Sequence, residues 1–321
     1  MMRFVTRALA LLLFVALFAL SCVGCADVSH EAGDAEIVCT IYPIYDWVCA
    51  ILGEHRAEYP VRLLSENGND PHNYQPTVRD LIEVSNATLL LCVGGVSDAW
   101  TSEVAKPRGE VLMLLDAVEV CEADHGGEEH HHEHDHAHEE IDEHFWLSPM
   151  NAKRAVSVIT ETLAVLYADD GEAVADFRAN AASYMEMLEA LDGRYRAAVA
   201  EAERDTVLFA DRFPFLYLTE EYGIRYHAAF PGCSAEVEAG FSTVLELTDA
   251  AKELELSVIL VTETGDTALA ETIWRNTGHS GEILTLHSCQ SVTRAERAAG
   301  VTYLSIMEEN LSVLARALAG S

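Results

Sequence analysis

The stretch 170-DGEAVADFRANAASYMEMLEALDGRYRAAVAEAER-204 predicts one long helix. It is rich in Ala, Glu, Leu, Met and Arg, which favour helix, and it contains no proline. Apolar side chains recur along it at three- and four-residue spacing, as they do on one face of a helix. About 30 residues of helix would be roughly 45 Å long. Such a helix could join two lobes as a stiff connector, although a long helix inside a single domain is the alternative.

Short apolar runs alternate with helical stretches on both sides of this helix, which predicts βαβ units and parallel sheets. The expected fold class is therefore α/β, with two lobes that each carry a mainly parallel sheet flanked by helices, joined by one long linker helix. Ligands of such sheets lie at the carboxyl ends of the strands. The predicted strands are 36–40, 59–65, 87–95 and 111–118 before the helix, and 206–210, 224–230, 256–263 and 282–286 after it.

With 321 residues, the chain is long enough for two domains of ordinary size. We expect an N-terminal metal-binding lobe at 36–150, a helical region with the linker helix at 151–204 and a C-terminal lobe at 205–321. The N-terminal lobe would include a disordered His-rich loop at 122–140, because that segment is too polar and too charged to bury apolar surface.

The N-terminus has the pattern of a secretory signal that ends in a cysteine. A positively charged start precedes an apolar run at 8–20, which is too short and too poorly flanked to be a stable membrane span. Residues 1–25 are therefore expected to be a signal peptide with a lipobox, with Cys25 as the lipidated residue and Cys22 as the second candidate. The expected mature protein is extracytoplasmic and anchored to the bacterial cell membrane as a lipoprotein.

The chain carries 53 acidic residues against 20 basic ones, for a formal net charge of −33. This charge argues against nucleic acid as a partner, because phosphates demand a basic face. It is compatible with a cationic ligand, although an acidic surface that only confers solubility is the alternative.

The run 129-EHHHEHDHAHEE-140 points to metal. An expression tag would sit at a terminus, and a solvated acidic loop would not need imidazoles. Imidazole and carboxylate together suit Zn²⁺ and its borderline neighbours, but a floppy run would collect ions without selecting among them. The accessory ligands expected here are His125, His130, His131, His132, His134, His136 and His138.

Three histidines outside this run lie where a sheet would present a ligand. His72 follows the predicted strand 59–65 in a turn-rich loop, and His287 follows the strand 282–286. His144 precedes an aromatic pair, which indicates a packed position. Each of these histidines alone could be an ordinary surface or core residue, so the prediction of a metal site depends on their occurring together.

Five stretches together resemble the substrate-binding lipoproteins of zinc and manganese ABC transporters, the group with a rigid linker helix. The His-rich loop is typical of the zinc-specific members. The resemblance implies two α/β lobes, one long helix and a single metal in the cleft between the lobes. The stretches are NDPHNYQPT (69–77), DEHFWLSPMNA (142–152), DRFPFLYLTEEYGI (211–224), FPGCSAE (230–236) and ILTLHSCQSVT (283–293).

By this resemblance, His72 and His144 are the two metal ligands of the first lobe. The third family ligand lies about ten residues before a Tyr-Gly pair, where an ungapped count reaches Arg212. An arginine cannot coordinate a cation, so Asp211 is expected to substitute for it. The fourth ligand position resembles His287, with Glu263 as a competing carboxylate. A further candidate is His227.

Two or three imidazoles and one carboxylate fit a tetrahedral Zn²⁺ site, whereas Mn²⁺ prefers more oxygen ligands. The resemblance implies a monomer that captures Zn²⁺ outside the cytoplasm and delivers it to the permease and ATPase subunits of an ABC importer. The alternatives are a metal buffer or chaperone, an adhesin-type lipoprotein and a zinc hydrolase. Against an enzyme, the chain contains no G-x-S-x-G nucleophile motif.

Overall fold

The computed structural model of the protein describes residues 36–65, 71–101, 107–121, 141–232 and 239–320. The expected signal peptide with its lipobox and the expected His-rich loop lie outside these residues. These described residues form one compact unit. None of the helices in the described ranges is both long enough and apolar enough to span a bilayer.

The first lobe is built on a sheet of four parallel strands, which are β1 (Ile37–Cys39), β2 (Val61–Leu63), β3 (Leu89–Cys92) and β4 (Glu110–Met113). Their order in the sheet is β2-β1-β3-β4. The two inner strands, β1 and β3, are apolar along their whole length and fully buried. Uninterrupted apolar strands are expected where a parallel sheet is covered on both faces.

The second lobe repeats this arrangement with four parallel strands, which are β5 (Thr206–Phe213), β6 (Arg225–Pro231), β7 (Val258–Val261) and β8 (Glu282–Thr285). Their order in the sheet is β6-β5-β7-β8, so each strand has a counterpart at the same place in the first sheet. The carboxyl ends of the strands are the edges at which either lobe would present ligands.

Helices connect the strands of each lobe and pack on the sheets. Those of the first half of the chain are α1 (Tyr42–Leu52), α2 (Val78–Asn86), α3 (Pro149–Leu166) and α4 (Gly171–Ala200). Those of the second half are α5 (Leu216–Tyr222), α6 (Phe241–Glu253), α7 (Ala268–Thr277), α8 (Arg294–Ala298) and α9 (Tyr303–Ala317).

The long helix α4 contacts both lobes, as the sequence predicts for a linker. Its first turn is capped by Asp170, whose carboxylate accepts the N–H of Ala173 at 3.1 Å. Further along, Asn180 donates to the carbonyl of Ile51 in the first lobe at 3.0 Å. Near the other end, the buried hydroxyl of Tyr195 donates to the carbonyl of Met307 in α9 at 2.7 Å. The helix is therefore fixed to the first lobe and to the closing helix of the chain.

Capping groups end the two loops that carry the first-lobe histidines. Thr77 and Asp80 form a capping box at the start of α2, just after the His72 turn. Ser148 caps α3, where its hydroxyl accepts the N–H of Asn151 at 3.0 Å. Pro149 follows at the first helical position, where its missing N–H costs nothing. These caps fix where each loop stops and the helix begins.

The structure differs from the predicted boundaries at a few places. The strand predicted at 111–118 ends at Met113, because residues 114–117 turn into a 3₁₀ helix. Strand β5 continues to Phe213, beyond the predicted end at 210, because its last residues pair with the end of β6. Helix α5 consequently starts only at 216. The five-residue helix α8 is too short to show a helical periodicity in the sequence.

Candidate metal centre

The two first-lobe histidines meet at the carboxyl ends of their sheet. His72 lies in a 3₁₀ turn at Pro71–Asn73, and His144 immediately precedes another at Phe145–Leu147. Their Nε2 atoms are 3.2 Å apart and their ring centroids 5.2 Å apart. A neutral imidazole offers one nitrogen lone pair, so two nitrogens at this separation can either share a proton or converge on one cation.

Asp142 orients His144. One oxygen of its carboxylate, Oδ1, accepts the backbone N–H of His144 at 2.8 Å and lies 2.9 Å from the ring Nδ1. When the proton is on Nδ1, the lone pair is on Nε2, the nitrogen that faces His72. A carboxylate behind a ligating histidine fixes the tautomer and strengthens the ligand. Sequence reasoning missed Asp142, although its position two residues before a candidate ligand was the available signal.

Residues 142–147, the His144 segment, are held by contacts from the second lobe. Trp146 donates its indole N–H to the carbonyl of Ser288 at 2.8 Å, and its own carbonyl accepts the hydroxyl of Tyr303 at 2.5 Å. Trp146 also packs edge-on against the ring of His144, with centroids 5.1 Å apart. The three residues that contact Trp146 here, Ser288, Tyr303 and His144, are all buried. The His144 segment is thus hydrogen-bonded directly to the loop that follows β8.

Glu263 lies on the other side of Ser288. Its Oε2 accepts the N–H of Ser288 at 2.9 Å, and its Oε1 accepts the hydroxyl of the same residue at 2.6 Å. The ring Nδ1 of His287 is 3.5 Å from Oε1. Ser288 therefore links Glu263 to Trp146, and through Trp146 to the ring of His144. Glu263 is thus connected to the histidine pair through the hydrogen bonds of Ser288 and Trp146.

His287 is held by backbone contacts. The N–H of Cys289, a residue with a positive φ of 65°, donates to the ring Nδ1 of His287 at 2.9 Å. Asn310 accepts the N–H of His287 and donates to its carbonyl, both at 2.8 Å. A neutral imidazole that accepts at Nδ1 carries its proton on Nε2. Coordination through Nε2 would therefore require the Cys289 turn to release Nδ1.

Asp211 joins the ends of two strands of the second sheet. Its Oδ2 accepts both the N–H and the hydroxyl of Thr262, at 3.0 and 2.5 Å, and its Oδ1 accepts the N–H of Arg212 at 2.8 Å. A Cβ at Gly265 would lie 1.8 Å from Oδ2, so a larger residue there would have to displace the Asp211 carboxylate. Both oxygens are thus engaged in contacts that close the carboxyl ends of β5 and β7.

The structure brings together His72 and His144. Of the second-lobe candidates, Glu263 and His287 lie beside each other, whereas Asp211 contacts Thr262. Within the described ranges, no group of three or more His, Cys, Asp and Glu side chains has the spacing to hold a metal. His227 lies within β6, opposite Leu208, and not at the carboxyl end of the strand. The seven accessory histidines of 122–140 fall outside the described residues.

Two buried carboxylates lie beside the histidine pair. Asp98 accepts the N–H groups of Val93 and Gly94 at 2.6 and 3.3 Å, and burial raises the pKa of its carboxyl to about 6. Glu143, the residue before His144, accepts the N–H of Ser97 at 3.0 Å. Sequence reasoning missed this pair. The short loop after the buried strand 87–95 was the signal, because it places Asp98 at a carboxyl end.

A two-lobe α/β fold with paired imidazoles at a carboxyl edge defines a class of metal-binding proteins. The family described as "ZnuA: Zinc-uptake complex component A periplasmic" matches residues 37–317, and the chain belongs to that family. The resemblance and the fold class predicted from the sequence are thus confirmed.

Individual relatives agree with this assignment. The chain is 30% identical over 315 residues to zinc-binding lipoprotein AdcA of Streptococcus pneumoniae, covering 94% of this chain and 60% of AdcA. It therefore spans about 60% of the length of that relative. It is 28% identical over 296 residues to the high-affinity zinc uptake system protein ZnuA of Bacillus subtilis, covering 91% of this chain and 89% of ZnuA.

A solved structure gives the same result. The Zn(II)-bound ZnuA-like domain of Streptococcus pneumoniae AdcA superposes with a TM-score of 0.71 at 26% identity. The match covers 88% of this chain and 98% of that domain. The two-lobe architecture described above is thus shared with a domain whose zinc-bound form has been solved.

Proposed function

We propose that the protein is the zinc-binding component of an ABC importer, which captures Zn²⁺ outside the cytoplasm and delivers it to a membrane permease. The observation that carries this proposal is the convergence of the Nε2 atoms of His72 and His144, 3.2 Å apart, with Asp142 behind His144. Membership of the zinc-uptake family and the zinc-bound state of the similar AdcA domain support it.

We propose His72 and His144 as the first two zinc ligands. From the second lobe we favour Glu263, because Ser288 and Trp146 connect it to His144. Asp211 and His287 are the remaining candidates. Two imidazoles with a carboxylate and a third imidazole would complete a tetrahedral site, whose donor set favours Zn²⁺ over Mn²⁺. Four protein ligands would leave no open position for a reactive water, in keeping with a binding protein and not an enzyme.

The rest of the proposal follows from the sequence. Residues 1–25 would direct export, and Cys25 would carry the lipid anchor. The lobes would comprise 36–150 and 205–321, joined through the helical region 151–204. The monomeric protein would dock to the permease of an importer whose ATPase subunits drive transport, and segment 122–140 would raise the local zinc concentration as an accessory.

Metal counting tests the proposal. The full-length chain, with and without 122–140, is dialysed against a moderate chelator under zinc–manganese competition, and bound metal is counted by mass spectrometry. We expect about one zinc per chain in both forms, lost in His72→Ala and His144→Ala. His279→Ala is the matched control, because His279 is exposed and belongs to neither the pair nor the His-rich segment. Zinc retained only when 122–140 is present would instead indicate a metal buffer.

A further inference from the structure

Tyr217, in the second lobe, forms hydrogen bonds to the His144 segment and to Cys121 in the first lobe. It lies on α5 and is almost completely buried, with 2% of its surface exposed. Its hydroxyl donates to the carbonyl of Asp142 at 2.8 Å and accepts the N–H of Cys121 at 3.1 Å. Burial raises the pKa of Tyr217, so the phenol stays protonated and able to donate.

The partners of Tyr217 are also bonded to each other. The N–H of Asp142 donates to the carbonyl of Cys121 at 3.1 Å. The backbone of Asp142 is therefore held at both its N–H and its carbonyl, and its side chain is left to contact His144. A carboxylate can orient an imidazole only if its own backbone is fixed, because any rotation of the peptide would move the carboxylate with it.

We propose that Tyr217 is a positioning residue for zinc binding, which fixes Asp142 so that Nε2 of His144 stays directed at His72. The inference rests on the proposed function and deepens it, because it assigns to the second lobe a part in shaping the first-lobe half of the site. Partners behind metal ligands typically contribute 10- to 100-fold in metal affinity. Tyr217 lies one contact further out, so we expect an effect of about tenfold.

The competing explanation is that Tyr217 is only a core tyrosine. Tyr195 provides the matched control, because it is equally buried and its hydroxyl also donates to a backbone carbonyl, that of Met307 at 2.7 Å. Neither Tyr195 nor Met307 has a described hydrogen bond to the His144 segment. Replacing either tyrosine by Phe removes one hydroxyl and keeps the ring, so both variants should lose similar stability.

Zinc affinity separates the two explanations. The dissociation constant is measured by chelator competition on full-length wild type, Tyr217→Phe and Tyr195→Phe, with the Tm of each zinc-free form as the check of folding. We expect Tyr217→Phe to weaken zinc binding about tenfold, and Tyr195→Phe to change it by less than about twofold. Wild-type affinity in Tyr217→Phe, or an equal loss in both variants, would overturn the proposal.

A second comparison asks whether Tyr217 acts through Asp142. In an Asp142→Ala background, Tyr217→Phe should change zinc affinity by less than about twofold, because the group that it positions is gone. A tenfold loss that persists in this background would contradict the proposed route. If His72→Ala and His144→Ala keep wild-type affinity, the zinc site itself is assigned to the wrong residues, which is a different failure from that of Tyr217.

Discussion

The indole N–H of Trp146 donates a 2.8 Å hydrogen bond to the carbonyl of Ser288, and this bond crosses from the His144 segment to the second lobe. Ser288 in turn donates to both oxygens of Glu263. The proposed ligands His144 and Glu263, one from each lobe, are therefore connected by two residues. Breaking this connection should lower both the free energy of unfolding and the affinity for zinc.

Replacing Trp146 by Phe tests the connection. The variant leaves a buried carbonyl without its donor and a gap beside the His144 ring, and we expect it to lower the free energy of unfolding by about 2–4 kcal/mol. Zinc affinity should fall as well, because the His144 segment loses its link to Ser288. Urea unfolding and chelator competition measure the two effects.

Trp274→Phe is the control for Trp146→Phe. The indole of Trp274 also donates to a backbone carbonyl, that of Glu282 at 3.3 Å, but within the second lobe. We expect a loss of stability of about 1–3 kcal/mol with zinc affinity unchanged. An equal loss of affinity in both variants would show that the Trp146 bond has no special relation to the site.

Glu263→Gln and Asp211→Asn distinguish the two second-lobe carboxylates. Both oxygens of each carboxylate accept hydrogen bonds, and an amide nitrogen cannot accept one, so each variant should lose about 1–3 kcal/mol of stability. Only Glu263→Gln should also weaken zinc binding, by more than about tenfold, because it removes a proposed ligand charge. If Asp211→Asn instead weakened zinc binding more than Glu263→Gln, then Asp211 would be the ligand.

Zinc should stabilise the fold by mass action. At free zinc of about 100 times the dissociation constant, the free energy of unfolding should rise by about 2.7 kcal/mol. Chelation should reverse this gain, which thermal unfolding with and without zinc would record. His144→Ala should show no gain at the same zinc concentration, whereas the exposed-histidine variant His279→Ala should behave like wild type.

The free energy of unfolding should change with pH because Asp98 titrates. Burial raises its pKa in the folded protein from the ordinary value of 3.8 to about 6, so the folded state binds this proton more tightly than the unfolded state does. The contribution of Asp98 is then greatest at low pH and is lost as pH rises from about 4 to about 6. The loss amounts to at most about 3 kcal/mol.

Asp98→Asn removes this titration. The difference in free energy of unfolding between wild type and the variant should therefore shift against wild type by up to about 3 kcal/mol between pH 4 and pH 6.5, as followed by urea unfolding at each pH. A constant difference across this range would show that folding does not raise the pKa of Asp98. The comparison cancels the other acidic groups, which titrate in both proteins.

Much of the fold could be predicted from the sequence because the inner strands of each sheet are buried. Buried parallel strands such as β3 are continuous apolar runs, and the helix 171–200 is one uninterrupted periodic stretch. The ends of elements were harder to place. The end of β5 depends on pairing with β6, and the 3₁₀ turn at 114–117 depends on packing, so neither leaves a local signal.

For the metal centre, the sequence and the resemblance together pointed to His72 and His144, and the structure places these two side by side. The contacts of the second-lobe candidates could not be predicted. Whether Asp211 contacts Thr262, and whether Cys289 donates to His287, depends on which side chains meet across strand ends and on the backbone of one turn. Spacing along a chain does not contain that information.

The hydrogen bond from Tyr303 to the carbonyl of Trp146 also bears on the order in which the protein is made. These residues are 157 positions apart in the chain. A ribosome synthesises the His144 segment long before it synthesises α9, so a partly made chain has both histidines but lacks the residues that hold them in place. Until α9 has been made, the His144 segment lacks the contact that Tyr303 gives to Trp146, so the His72–His144 pair is not yet held as it is in the folded protein.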